Sequence, residues 1–232
     1  MFKAERRDVR EMTPESPTRG RRQERTRRAI LDAARELILE RGLEGFSLRE
    51  VARRADYTPG ALYTYFSSAE ELLGAVGMES LEVLGGYMGR VSGVLRAEER
   101  VLALAEAYLR FAEERPDEYA IVFERLTVPA ESWAHFVRVA FPFTVLVEAF
   151  EAGAAEGAFE PRPGFGPAEM AYGLWCLAHG AAALSRKHLA ALPDDMTAAQ
   201  AGAVRAYVGG LGRRAGGGSH RGAGRSAGGG AR

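Results

Sequence analysis

The sequence predicts an all-α protein: a three-helix unit containing a helix-turn-helix, followed by a larger helical bundle. Three observations carry that expectation. Apolar residues recur at i, i+3 and i+4 through most of the chain, the spacing of one buried helix face. β-Branched stretches are short, as at 119–123 and 144–147, and none alternates as a strand would. Capping residues stand where helices would begin, and glycine or proline where they would end. Composition agrees. The 232 residues, 47% hydrophobic and 27% charged, suit one or two globular domains.

Residues 1–20 are polar and hold Pro14, Pro17 and Gly20, so 1–21 reads as a mobile arm. The first helix is expected over 22–40, burying Ala29, Ile30, Ala33, Leu37 and Ile38. Gly42 is its stop, because glycine accepts the left-handed conformation that follows a helix. Ser47 and Glu50 form a capping box, Ser47 accepting an N–H and Glu50 reaching back. They open a helix Leu48–Arg54 that buries Leu48, Val51, Ala52 and Ala55. Asp56 and Tyr57 leave room only for a tight turn. Thr58 then caps the next helix, 59–65, and Pro59 takes its first position, where a missing N–H costs nothing. Leu62 and Phe66 lie four apart on its buried face.

Further helices are expected over 69 to about 94 and over 98–114, the latter apolar nearly all round and so buried by its neighbours. Pro116 ends it. Residues 117–126 make another, and 131–156 a longer one that Pro142 should kink. Helices 167–190 and 197–210 close the bundle. The tail, 211–232, is rich in glycine and arginine without an acid. Such a composition cannot bury enough surface to offset chain entropy, so disorder is expected.

The formal net charge of zero hides a pattern: net +2 over 1–75, −7 over 76–208 and +5 over 209–232. Residues 19–28 hold six arginines against Glu24. The asymmetry points to a polyanion at one end; the plainer reading is solvated surface. Two short helices joined by a tight turn form a helix-turn-helix. Burying Val51, Ala52, Leu62 and Phe66 leaves Pro59, Gly60, Ala61, Tyr63 and Thr64 facing outward. An exposed helix start of small residues is shaped for close approach to base edges in a major groove. Tyr63 and Tyr65 can hydrogen-bond phosphates, as can the first backbone amides, and Arg49 points away from the buried stripe. With the caps Ser47 and Thr58 these make the candidate DNA-binding set. The alternative is a small helical hairpin with an exposed tyrosine.

Residues 26–76 read TRRAILDAARELILERGLEGFSLREVARRADYTPGALYTYFSSAEELLGAV. This stretch resembles the DNA-binding domain of the TetR family of transcriptional regulators. The matching marks are AIL-x-AA, RG-x-x-x-FS, LYTYF and EELL, in order and with the right gaps. Two positions depart from the pattern. The turn glycine usual after the second helix is Asp56, which tolerates the left-handed region better than most residues. The lysine usual after the reading helix is Ala69, which removes one phosphate contact. The arginines 21, 22 and 25 could compensate. Residues 105–126 and 174–184 are similar to a C-terminal domain type known for a Trp-His-Gly motif, here Trp175, His179 and Gly180. The resemblance implies domains at 22–75 for DNA binding and 76–210 for ligand sensing and dimerisation.

Aromatic residues cluster in the second part, and each is more often core than pocket. As a set, in a ligand-sensing family, some should line a cavity for a mainly apolar ligand; the candidates are Tyr108, Phe111, Phe123, Phe141, Trp175 and His179. Small residues mark the last two helices. Gly173, Leu177, Gly180 and Leu184 repeat at helical spacing, as do Gly202 and Ala206. Glycine inside a helix usually has a packing reason, and these stripes read as a four-helix interface between two copies.

No catalysis, cofactor or metal is expected. Cys176 and His179 share a face, but a nucleophile needs a third orienting group and an oxyanion site, and neither is visible. Cys176 reads as a buried structural thiol, and the four histidines lack metal spacing. The longest uncharged apolar run, 139–147, falls short of a membrane span, and the charged start is no secretory signal. Together these suggest a cytoplasmic, homodimeric repressor that binds a palindromic double-stranded DNA operator and is released by a small effector. The rival is an activator or architectural DNA-binding protein without an effector.

Overall fold

The first helix, α1, spans Pro17–Arg41 in a computed structural model that describes residues 17–91, 93, 96–126, 141–187 and 196–212. Residues 17–21, expected within a mobile arm, are therefore helical, since proline suits the first position of a helix. Residues 1–16 of that arm lie outside the described residues, as do 213–232 of the tail. At the other end Gly42 takes a φ of +65° and its N–H donates to the Ile38 carbonyl at 2.9 Å, the stop expected of it.

Helices α2 (Leu48–Arg54) and α3 (Pro59–Leu62) follow. Ser47 Oγ accepts from the Glu50 amide at 3.2 Å, but Glu50 does not reach back. Its carboxylate takes two bonds from Arg53, at 3.0 and 2.6 Å, and faces Arg41 at 3.5 Å. Bonds between two charged groups are stronger than one to a neutral amide, so only half of the box forms. A closer approach to the box sits two helices later, where the glutamate reaches back to the residue before the cap. Ser68 Oγ accepts from the Glu71 amide at 3.2 Å, and Glu71 Oε2 accepts from the Ser67 amide at 2.7 Å. It opens α4 (Ala69–Met88), which stops short of the expected residue 94.

Between α2 and α3 the chain closes in a Schellman turn. The Tyr57 amide donates to the Ala52 carbonyl at 2.8 Å and the Asp56 amide to the Arg53 carbonyl at 3.3 Å. Asp56 stands at φ +61°, the position where the sequence pattern usually has glycine. A left-handed conformation strains a residue that carries a Cβ. Replacing Asp56 by glycine is therefore expected to stabilise the fold by about 0.5–1 kcal/mol, read as a higher melting temperature. α3 is shorter than expected. After Leu62 the bonds tighten to i→i−3, with the Tyr65 amide on the Leu62 carbonyl at 2.9 Å, so 63–65 is a turn rather than α-helix.

The chain forms two compact units that do not follow chain order: 1–90 with 110–142, and 91–109 with 143–232. α4 runs unbroken through residue 75, the boundary suggested by the sequence. The first unit is built around Ile30, Leu31, Ala34, Leu37 and Ile38 of α1, Val51 and Ala52 of α2, Leu62, Phe66, and Leu72 and Val76 of α4. Each of the larger side chains, fully buried, contributes about 1.5–3 kcal/mol. Leu48 and Ala55, expected inside, are half-buried at the edge of this core because they sit at the ends of α2. Arg35 of α1 fastens the same unit by charge, reaching Glu79 Oε2 at 3.2 Å and Ser80 Oγ at 3.4 Å on α4.

α5 spans Ala97–Glu114 and contributes residues to both units. Pro116 then starts α6 (Pro116–Ala120), which widens into a π-helical turn, Ile121–Arg125, where one α-helix was expected. The Leu126 amide donates to the Ile121 carbonyl at 3.0 Å, five residues back. Ile121 belongs to the first unit's core, and Glu118 Oε1 lies 3.7 Å from Arg35.

The second unit holds α7 (Phe141–Ala155) from residue 143 onward, α8 (Pro167–Lys187) and α9 (Thr197–Leu211). The kink expected at Pro142 concerns residues 131–140, which lie outside those described. Phe159 packs on Phe150 with ring centroids 5.0 Å apart, in space that Gly153 leaves open by lacking a Cβ. Tyr207 of α9 donates from its hydroxyl to the Met170 carbonyl of α8 at 2.9 Å.

Candidate nucleic-acid interface

Leu62 is 0% exposed and its neighbour Tyr63 is 57% exposed. That contrast defines the reading edge: α3 is anchored by Leu62 and Phe66 while Pro59, Gly60, Tyr63 and Thr64 face solvent. Space above Gly60 is open, since a Cβ there would meet nothing within 4 Å. Ala61 is half-buried, and Tyr65 is half-buried against the unit's core, so Tyr65 offers less surface than its neighbour.

Several hydroxyls of the candidate set already have backbone partners. Thr58 Oγ1 accepts from the Ala61 amide at 3.2 Å, and Thr64 Oγ1 donates to the Ala61 carbonyl at 2.6 Å. Ser47 is occupied by its cap. Ser47 and Thr58 shape helix starts and Thr64 closes the end of α3; Arg49 and Tyr63 are exposed side chains of the set. Ion pairs fix α2 on α1: Arg54 meets Glu40 at 2.6 Å and Glu36 at 3.8 Å. The hydrogen bond from Arg54 holds the Glu40 carboxyl below its ordinary range, and that from Arg53 does the same for Glu50.

Two contacts were not visible in the sequence. Thr26 Oγ1 of α1 lies 3.1 Å from the Tyr57 hydroxyl. The Arg27 guanidinium lies over the Phe66 ring, 5.4 Å from its centroid. Arg27 stands within a run of six arginines, and nothing in its spacing separates it from the others.

Residues 30–76 match the family described as "Bacterial regulatory proteins, tetR family", and residues 101–207 match "Tetracyclin repressor-like, C-terminal domain". The chain belongs to the TetR family of transcriptional regulators. Among curated relatives, the HTH-type transcriptional regulator PksA of Bacillus subtilis is 48% identical over 50 residues, covering 22% of this chain and 24% of PksA. The HTH-type transcriptional activator FasR of Mycolicibacterium smegmatis is 34% identical over 131 residues, covering 53% of this chain and 57% of FasR. The chain thus spans less than two-thirds of these curated relatives. A solved TetR family protein of Vibrio parahaemolyticus superposes with a TM-score of 0.61 at 26% identity, covering 81% of this chain and 99% of that one.

The TetR C-terminal match includes the candidate ligand residues, and the structure divides them. Tyr108, Trp175 and His179 come together in the second unit. The Tyr108 hydroxyl lies 2.9 Å from His179 Nδ1, and the Trp175 and His179 rings are 6.2 Å apart. Phe143 and Tyr172 join them, 5.8 and 6.3 Å from Trp175. Phe111 and Phe123 belong to the first unit, beside Tyr87 at 5.8 Å and Tyr119 at 5.1 Å. The Phe141 side chain lies outside the described residues.

The residues expected at a TetR dimer interface also divide. Gly173 is used within the chain: its missing Cβ makes room for the Tyr207 hydroxyl. Leu177 and Leu184 are exposed, Ala206 is exposed, and a Cβ at Gly180 or Gly202 would meet nothing within 4 Å. Cys176 was expected to be buried and is exposed, because it lies on the same open face as Tyr172 and Leu184. Its hydrogen bond to Tyr172 holds that phenol above its ordinary pKa. Among the described residues no group of three His, Cys, Asp or Glu side chains could hold a metal ion, and no helix is long and apolar enough to cross a membrane.

Proposed function

We propose that this TetR family member is a dimeric DNA-binding repressor released from a palindromic operator by a small, largely apolar ligand. The observation that carries the DNA-reading part is the exposed edge of α3, with Tyr63 outward beside a fully buried Leu62. Small residues at 59–61 let the backbone approach base edges, and the head behind them is braced by a closed core and ion pairs. The open face of α8 and α9, with exposed Leu177 and Leu184, supports pairing with a second copy. The cluster of Tyr108, His179, Trp175, Phe143 and Tyr172 supports an aromatic or aliphatic ligand with one polar anchor, the Tyr108–His179 pair. The ligand acts through its differential affinity for two states of the protein. The basic α1 favours action on the chromosome, and so a cytoplasmic place of work.

One comparison favours a second reading, an activator. FasR is named as one, and it shares more aligned residues with this chain than PksA does.

Capture of fragmented genomic DNA by the purified protein, followed by sequencing, tests the reading. A recurring palindrome with half-sites about 34–36 Å apart, or a multiple of that, is the expected result. Salt-sensitive capture of every fragment, without a motif, overturns it in favour of an architectural role. A palindrome upstream of the promoter elements, with transcription rising on addition of the protein, selects the activator.

Tyr63→Ala is expected to weaken binding to that palindrome by about tenfold, equivalent to roughly 1.4 kcal/mol. Helicity and dimer formation should be unchanged. Equal affinity in an anisotropy titration would remove Tyr63 from the contacts.

A further inference from the structure

Two neighbouring residues of α1 grip the reading segment at both ends. Buried Thr26 meets the Tyr57 hydroxyl at 3.1 Å just before α3 begins. Arg27 covers the Phe66 ring just after it ends. Phe66 is itself locked in the core, so the guanidinium rests on a fixed support at the corner where the reading segment passes into α4. A guanidinium held against a ring can still turn an N–H edge to a further partner. That edge matches the oxygens of a phosphate, and a side chain already ordered on a ring loses less freedom when it binds. The nearby acid is otherwise engaged: Glu71 Oε2 accepts from both the amide and the hydroxyl of Ser67, at 2.7 and 2.6 Å. Exposed Arg22 and Arg25 continue the positive surface along α1.

The geometry points to Arg27 as a phosphate-binding residue that clamps the DNA backbone beside the groove entered by α3. The inference rests on the DNA-binding reading above and adds a residue outside the reading edge. A phosphate contact orients the protein without choosing sequence, so Arg27 sets register and affinity while the α3 edge selects bases.

The test uses the full chain with two labelled duplexes, one carrying the captured palindrome and one of unrelated GC-rich sequence, titrated from about 50 to 200 mM salt. Arg27→Met keeps an apolar cover over Phe66 and removes the charge; Arg27→Lys keeps the charge. Arg27→Met is expected to weaken both duplexes by a similar factor and to flatten the slope of log K against log salt by about 0.9 for each protomer bound. Arg27→Lys should keep the slope of the unaltered chain. An unaltered slope in Arg27→Met overturns the inference and leaves Arg27 as a cover for Phe66. Arg27→Gln repeats the measurement if the methionine variant does not fold. If the unaltered chain binds neither duplex, the DNA-binding reading itself falls, and that result is seen before any variant is made.

Discussion

Phe66→Ala is expected to destabilise the first unit by about 3–5 kcal/mol, the range for truncating a large buried aromatic. The ring is 2% exposed and packs in the cluster formed by α1, α2, α3 and α4. Its removal leaves a cavity that those helices cannot close, because each is pinned by its own cap or ion pair. The reading segment would lose its rear anchor, and Arg27 the ring beneath it. Loss of DNA binding should accompany a large fall in melting temperature followed by circular dichroism. Phe66→Leu, which keeps most of the volume, should cost much less. A loss below about 1 kcal/mol for the alanine variant would mean that the first unit repacks around the gap and is not rigid.

Arg35→Ala carries the second-largest expected effect, about 2 kcal/mol. Arg35 side chain is 18% exposed and stands between Glu79 on α4 and Glu118 on α6, at 3.2 and 3.7 Å. Removing it leaves two half-buried carboxylates facing a site without its cation. Arg28, 3.5 Å from Glu79, answers part of that charge, and partial exposure screens the rest, so the estimate sits below that for a fully buried pair. Denaturant unfolding of Arg35→Ala and of Arg35→Ala with Glu118→Gln measures it. The double variant should recover part of the loss, as should added salt. Equal stability of the single variant and the unaltered chain would reduce the bridge to a surface contact.

The head was legible in the sequence because its signals are local. Ser47, Thr58 and Pro59 mark helix starts within a few residues, and the buried stripe of Val51, Ala52, Leu62 and Phe66 follows from spacing alone. The failures came where other side chains compete. Glu50 fits a capping box until Arg41 and Arg53 arrive beside it. Gly173 fits a smooth outer stripe until Tyr207, thirty-four positions on by number, folds against it. Cys176 is an apolar-looking residue on a helix whose open face only the packing of α8 on α9 reveals. The candidate ligand residues were chosen as aromatic, a property that does not say which unit each joins. Arg27 was hidden for a related reason: its partner, Phe66, lies in the segment between α3 and α4, and arginine spacing does not encode it.

The π-helical turn at Ile121–Arg125 adds one residue to a helix that would otherwise wind regularly. The wider turn carries the next residue, Leu126, to a place roughly 100° round from that of a regular α-helix. Leu126 comes to rest over Gly77, where a Cβ would stand 2.9 Å from its Cδ1. The extra residue and the bare glycine are two halves of one fitting. A related chain that lost the insertion would present a different side chain to that spot and could carry a bulkier residue on α4. The two features should be gained and lost together, so that length at one place predicts size at another.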